Sequence, residues 1–503
     1  MCTRSSVLAG LAAAACLSVP VHAQSADGGW PADETWQRAQ AETARRMHTV
    51  ERPQQARNVI LFIADGMSIP TISAARIFVG EHTGEGEEQT LVFEDFPSAA
   101  LVRNYNTDAQ VADSASTATA LVTGLKTRSG AISVASGQFL DACAADAVLP
   151  ATLAERAEDR GMASGVVSTA RLTHATPATM YAHAMIRSWE ADADLPEAAV
   201  AAGCQDIAAQ LLAFDHGDGI DVALGGGREG FLPGDAGGRR EDGRDLLAEW
   251  RARGGVTVTD AAGFRDLDPA GDTPVLGVFT DSHMAYEADR DEADEPSLAE
   301  MTAFAIDRLS RNENGYVLMV EAGRVDHAHH ATNAYRALRD MEAFDAAIRT
   351  ALEHVDLDET LILVTADHGH TMTFAGYPAR GNPILGLVRR ANPYEPGSEP
   401  ALTLDESGRP YTTRGYRNGP NVRTPDSPAL DEADTLDPDY HQETVVGLSN
   451  ETHSGADVAL FANGPRAFWF SGSLEQNTVF HLMAAALGWD GAADGDGSPQ
   501  DRD

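Results

Sequence analysis

Positive charge is scarce in this chain. Lys and Arg together number 37 against 76 Asp and Glu, a formal net charge of −39 over 503 residues. A protein that grips a nucleic-acid backbone needs a basic face to displace counterions, so nucleic-acid binding is not expected. The acidity reads as a solvated surface. An anionic substrate would then need bound cations or a local arginine to reverse the field where it sits. Cysteine is nearly as scarce, with four. Two of them lie in "MCTRSSVLAGLAAAACLSVPVHAQ", which has one early positive charge, Arg4, and an apolar stretch too short to span a bilayer. It reads as a secretory signal peptide over residues 1–23, so the protein is expected to be exported, either to a periplasm or out of the cell. Cys143 and Cys204 remain after cleavage. Two cysteines in an exported chain imply one disulfide, and a structural zinc site rich in thiolates is excluded.

What the chain does have is a set of continuous apolar runs. "RNVILFIADG" is a buried-strand pattern closed by Asp65 and Gly66. The form recurs in "SGVVSTARLTHAT", "GYVLMVEAGRVDH", "TLILVTADHGH" and "DVALFANG". Helix-like segments such as "HHATNAYRALRDMEAFDAAIRTALEHV" lie between them. This alternation predicts an α/β fold, a three-layer α/β/α sandwich around a mostly parallel central sheet. In such sheets ligands gather beyond the carboxyl ends of the strands. The residues that follow the runs are Asp65, then His174 and Thr176, then Glu321 and Asp326, then Asp367 and His368. Repetition of carboxylates, imidazoles and a hydroxyl at four strand ends is hard to obtain from solvation alone. From Tyr377 to about Tyr440 the text turns rich in Pro, Gly, Arg and Asp, which predicts an inserted lobe or long excursion.

Asp326 and His330 are four apart, so a helix puts them on one face, where they can share a metal. His453 stands just before another strand run. Asp and His supply oxygen and nitrogen ligands suited to zinc with an open coordination position, and Asp65, Asp367 and His368 could serve a second cation. In "VADSASTATA" a lone acid, Asp113, precedes Ser114 in a stretch of small residues. Asp113 suits a helix N-cap, and Ser114 at the helix start could serve as a nucleophile once a base or metal lowers its pKa. A phosphate also calls for a bidentate arginine; Arg171, Arg187 and Arg324 are the candidates, and local chemistry does not choose among them.

With these blocks in order, from "NVILFIADGM" through "ADSASTATALVTG", "THATPATMYAHAMIR", "VEAGRVDHAHH" and "TADHGH" to "ETHSGADVALFANGP", the chain resembles the alkaline phosphatases over almost all of its mature length. The animal-type branch is the closest in these blocks, with His174 and His327 where many bacterial relatives carry Asp and Lys. The resemblance implies that Ser114 is the nucleophile that becomes phosphoserine and Arg187 the phosphate clamp. It implies two Zn²⁺, one on Asp326, His330 and His453 and one on Asp65, Asp367 and His368, and one Mg²⁺ on Asp65, Thr176 and Glu321. His174 and His327 would touch metal-bound water or the phosphate through water, Cys143 would pair with Cys204, and the protein would be a homodimer. Thr280 replaces an acidic ligand of the calcium site of the animal enzymes, which argues against Ca²⁺ there in spite of Glu295. No hydrophobic tail follows the domain, so the membrane-anchor signal of those relatives is not expected.

The resulting division is a signal peptide at 1–23, a catalytic domain at 24–386 and 441–490, a crown-like insertion at 387–440 and a disordered acidic tail at 491–503. The expected activity is hydrolysis of phosphate monoesters at alkaline pH with broad specificity. Two other readings stay open on the sequence: a phosphodiesterase or sulfatase-like hydrolase on the same scaffold, and an exported metal- or phosphate-binding protein without turnover.

Overall fold

A computed structural model describes residues 34–144 and 146–489. The expected signal peptide and acidic tail lie outside the described residues. Helix α1 (Glu34–Met47) lies in a unit that ends at Val50, and the described residues from Glu51 onward belong to a second compact unit.

In the second unit the apolar runs form the strands they predict. The main strands are β1 (Asn58–Ala64), β2 (Ser98–Arg103), β3 (Ala163–Arg171), β4 (Val222–Gly226), β5 (Val256–Val258), β6 (Val275–Val278), β7 (Tyr316–Ala322) and β8 (Thr360–Thr365). Further along come β9 (Met372–Phe374), β10 (Arg414–Gly419), β11 (Thr444–Gly447), β12 (Val458–Asn463) and β13 (Gly472–Glu475). Ten of them make one sheet in the order β13-β2-β12-β8-β1-β7-β3-β4-β6-β5. All neighbours pair in parallel except β12, which runs antiparallel to β2 and β8. Every residue of β1, β7 and β8 is buried. Successive side chains of a strand point to opposite faces, so both faces of the sheet are covered, which makes the architecture three layers. Phe62 of β1 meets Phe344 edge to face at 5.9 Å, within a helix, Ala334–His354, that packs on Leu298–Leu309.

β9, β10 and β11 form a separate three-stranded sheet within and around the segment read as an insertion. Cys143 and Cys204 are joined by a disulfide, S–S 2.05 Å. No helix among the described residues is long and apolar enough to cross a membrane.

Candidate active site

The carboxyl ends of the parallel strands deliver the polar side chains to one edge of the sheet. Asp65 follows β1, Thr176 follows β3, Glu321 is the next-to-last residue of β7, and Asp367 and His368 follow β8. β12 runs the other way, Leu460 facing Thr365 of β8, so His453, which precedes it, reaches the same edge. β2 leads into helix α2 (Ser114–Thr123), whose ten residues are all buried. That burial suits a segment in which eight of the ten residues are Ala, Ser or Thr, with Leu121 and Val122 the exceptions. Asp113 caps it, accepting from Ser116 N, and Gly124 ends it in the left-handed conformation.

Ser114, 1% exposed, is hydrogen-bonded through Oγ to His368 Nε2 at 3.0 Å. His368 Nε2 lies 3.4 Å from Asp65 Oδ1 and 3.3 Å from Asp367 Oδ2. A second group adjoins it, with the His368 and His453 rings stacked at 3.6 Å. There Asp326 and His330 share one face of helix α3 (Arg324–His330), 3.5 Å apart, and His453 Nε2 is 3.1 Å from His330 Nε2 and 3.4 Å from Asp326 Oδ1. The tautomers of these two histidines follow from their outer nitrogens. His330 Nδ1 lies 2.6 Å from the Glu451 carbonyl and His453 Nδ1 2.8 Å from that of Ala112. A carbonyl only accepts, so both Nδ1 atoms carry the proton and both Nε2 atoms aim lone pairs at the same point. Two converging lone pairs beside a carboxylate are repulsive unless a cation lies between them.

The carboxylates give the same answer. Asp65 Oδ1 and Oδ2, Glu321 Oε1 and Thr176 Oγ1 are buried without a hydrogen-bond partner. Burial, and then the neighbouring Asp367, Asp326 and Glu321, hold Asp65 well above the ordinary carboxylate range. Glu321 is pushed up to about 8 by burial, with Asp367 adding to it against a hydrogen bond from Ser168. Acids that can ionise here only with difficulty fit a site meant to take divalent cations. Asp326 behaves differently: burial would raise it, but His370 and His330 outweigh burial and hold it well below the usual range.

Arg187 donates through Nη1 to Asp113 Oδ2 at 3.2 Å and through Nη2 to His174 Nε2 at 3.0 Å, so of the three candidate arginines it is bound to the residue beside Ser114. Asp113 thus does more than cap the helix. Its carboxylate, raised by burial but lowered further by Arg187 and by Gly130 N, stays below its ordinary range. His327 lies 5.3 Å from His174, ring to ring. All the candidate metal and catalytic residues therefore converge on one edge.

Three residues in the neighbourhood were not singled out from the sequence. His370 Nε2 donates to Asp326 Oδ1 at 2.6 Å, and its Nδ1 is held by Glu451 Oε2. Burial opposes its charge, but Asp326 and Glu451 push it up to about 9. Its place in "TADHGH", two residues beyond His368, was the available signal. Gly66 makes room for it: with φ at 75°, an added Cβ would lie 2.4 Å from His370 Cδ2. The third, after His370 and Glu451, is His283, packed beside His174 and His327.

A family model described as alkaline phosphatase matches residues 56–489. The chain belongs to the alkaline phosphatase family. It is 38% identical to an alkaline phosphatase of Gadus morhua over 470 residues, covering 90% of this chain and 95% of that protein. It is 38% identical over 475 residues to the tissue-nonspecific isozyme of Gallus gallus, covering 90% and 89%. Among solved structures, Thermus thermophilus alkaline phosphatase matches with a TM-score of 0.64 at 27% identity, over 88% of this chain and 94% of that one. The protein is accordingly a phosphatase, on the α/β fold of that family, with a site able to hold divalent metals.

Proposed function

We propose that this phosphatase hydrolyses phosphate monoesters to alcohol and orthophosphate through a phosphoserine at Ser114. The observation that carries the reading is the position of Ser114, at the start of a buried helix, 3.0 Å from His368 and next to the acid that anchors Arg187. Two zinc ions, one held by Asp326, His330 and His453 and one by Asp65, Asp367 and His368, and one magnesium ion held by Asp65, Thr176 and Glu321, are the cofactors of this reading. When bound, such cations supply Lewis-acid chemistry and neutralise the clustered carboxylates.

The chain's own residues do the rest. In the first step Ser114 Oγ gives up its proton and bonds phosphorus as the ester P–O bond breaks, and the leaving oxygen takes up a proton and departs as the alcohol. In the second a water gives up a proton as its oxygen bonds phosphorus, Oγ–P breaks, Oγ takes back a proton and orthophosphate leaves. Arg187 can donate two parallel hydrogen bonds to the phosphoryl oxygens where charge accumulates. Asp113 keeps its guanidinium in place, and the backbone N–H groups at the head of α2 favour an anion there. His174 and His327 border the phosphate position as donors through water. Ser114, Arg187 and the metal ligands hold the phosphoryl group and not the leaving alcohol, in keeping with broad specificity. Residues 1–23, with cleavage near Ala23, support export, and the Cys143–Cys204 disulfide suits an oxidising compartment. A homodimer completes the reading.

The test is turnover of 4-nitrophenyl phosphate at alkaline pH by the zinc- and magnesium-loaded protein and by Ser114→Ala, with acid quenching to trap labelled phosphate on the chain. Wild type should turn over and trap label, and chelation should abolish turnover until both metals are restored. Ser114→Ala should lose at least about 10³-fold in kcat and trap no label. Label trapped at another residue, or undiminished turnover by Ser114→Ala, would sink the serine mechanism.

A further inference from the structure

Beside Arg187 lies a group of side chains of which the monoester reaction uses only His174 and His327, and those through water. His283, in the segment after β6, packs its ring 4.1 Å from that of His327 and 5.1 Å from that of His174. One nitrogen from each ring lies within 4.8 Å of the others, close enough to share one ion. The guanidiniums around them decide its sign. Arg187 Nη2 is 3.0 Å from His174 Nε2, Arg324 Nη1 is 3.0 Å from His327 Nδ1, and Arg171 Nη1 faces His283 Nε2. Arginine only donates, so the facing nitrogens of His174 and His327 present their lone pairs, and each neutral ring keeps its proton on the other nitrogen. His174 Nδ1–H and His327 Nε2–H are therefore donors. A cation would need lone pairs at those positions.

His174, a residue 9% exposed, has its Nδ1 buried without a hydrogen-bond partner, and one nitrogen of its ring also lies within 4.8 Å of oxygens of Asp65 and Glu321. His283 is asked for more than it can give: its Nδ1 also faces the backbone N–H of Arg171 at 3.2 Å, and a neutral imidazole accepts at one nitrogen only. Donors thus outnumber acceptors across the cluster. Glu190 takes Arg171 at 2.7 and 2.8 Å and Asp113 takes Arg187. Arg324 makes no ion pair among the described residues; its guanidinium stacks 3.7 Å from the Tyr286 ring centroid and its Nε is buried without an acceptor. His283, His327, Arg171 and Arg324 all keep partial exposure, so the cluster can be reached from solvent.

We propose that Arg324 and His283, together with Arg171, His174 and His327, form a second anion subsite adjoining the reacting phosphate. It would take a further phosphoryl or carboxylate group of the substrate, so phosphate compounds with a second negative group are preferred over esters of plain alcohols. This rests on the phosphomonoesterase reading, since it needs a reacting phosphate on Ser114. The chemistry is unchanged: the bond broken is still that between phosphorus and the leaving oxygen.

The experiment uses the metal-loaded protein and three probes: ethyl phosphate as reference, pyrophosphate for a second phosphoryl group, and phosphoglycolate for a carboxylate. The readout is kcat/KM for each charged probe divided by that for ethyl phosphate, in wild type, His283→Leu, Arg324→Met and Arg324→Lys. The ratio should fall at least tenfold in His283→Leu and Arg324→Met for one or both charged probes, the probe affected naming the group the subsite takes, and Arg324→Lys should recover part of it. Ratios within threefold of wild type for both probes in both variants overturn the subsite. Because each variant is judged against its own turnover of ethyl phosphate, loss of folding does not imitate the result. A wild-type protein inert on ethyl phosphate would instead overturn the parent reading.

Discussion

His370 shows how much of this site depends on residues that touch no substrate. Asp326 receives the His370 Nε2 proton at 2.6 Å, and Glu451 holds the far side of the same ring, a chain that fixes the carboxylate facing His330 and His453. Such outer partners are typically worth about 10–100-fold in metal affinity. His370→Ala should weaken zinc binding by that factor, measured by competition with a chromophoric chelator, while saturating zinc restores most turnover. Unchanged affinity would mean that Asp326 is oriented by something else. Within the proposed site, Asp65 and Asp367 were legible because they end apolar runs, Ser114 because it opens a helix, and Asp326 with His330 because they are four apart, whereas Arg187 was picked out among three arginines only by the family resemblance. His370, Glu451 and His283 were not, because their roles arise from contacts 44, 81 and 112 residues away along the chain.

At the scale of elements, the same buried strands that made the fold readable hold the site in place. β1 is hydrogen-bonded to β7 and β8 on its two sides and buried on both faces, so its end can move only if the core moves. Leu61 is fully buried there. Leu61→Ala should cost about 2–5 kcal/mol, seen as a lower chemical-denaturation midpoint, with turnover at 25 °C largely kept in the metal-loaded protein. A shift under about 0.5 kcal/mol would show that β1 is not part of the cooperative core. Elements without a continuous run were harder to read. β2 alternates between buried and exposed residues and carries no run, although it leads to Ser114. β9, β10 and β11 are three, six and four residues long, and part of this sheet lies in Pro- and Gly-rich text whose periodicity is too short to register.

For the molecule as a whole, acidity is tolerated on the surface and concentrated at one interior edge, and the two have different consequences for stability. Without metal, the fold keeps protons on Asp65, on Glu321 near pH 8 and on His370 near pH 9, whereas in the unfolded chain the two carboxyls have released theirs well below pH 7 and the imidazole most of its own by then. A fold that binds more protons than the unfolded chain loses stability as pH rises, on the order of 1.4 kcal/mol per pH unit for each such proton. The buried histidines with lowered values, His174, His327 and His368 among them, act in the opposite sense, but their effect fades above the ordinary imidazole pKa near 6.5 as the unfolded rings also become neutral. Asp340 and Glu158, raised to about 8 and about 9 by burial, are separate from the metal ligands and lower both forms alike. The gap in melting temperature between metal-loaded and chelated protein should therefore widen from pH 7 to pH 9, measured by calorimetry at constant ionic strength. A gap that stays constant or narrows would show that the strand-end carboxylates do not hold those protons, and with it would fall the argument that their burial is tolerated because cations replace them.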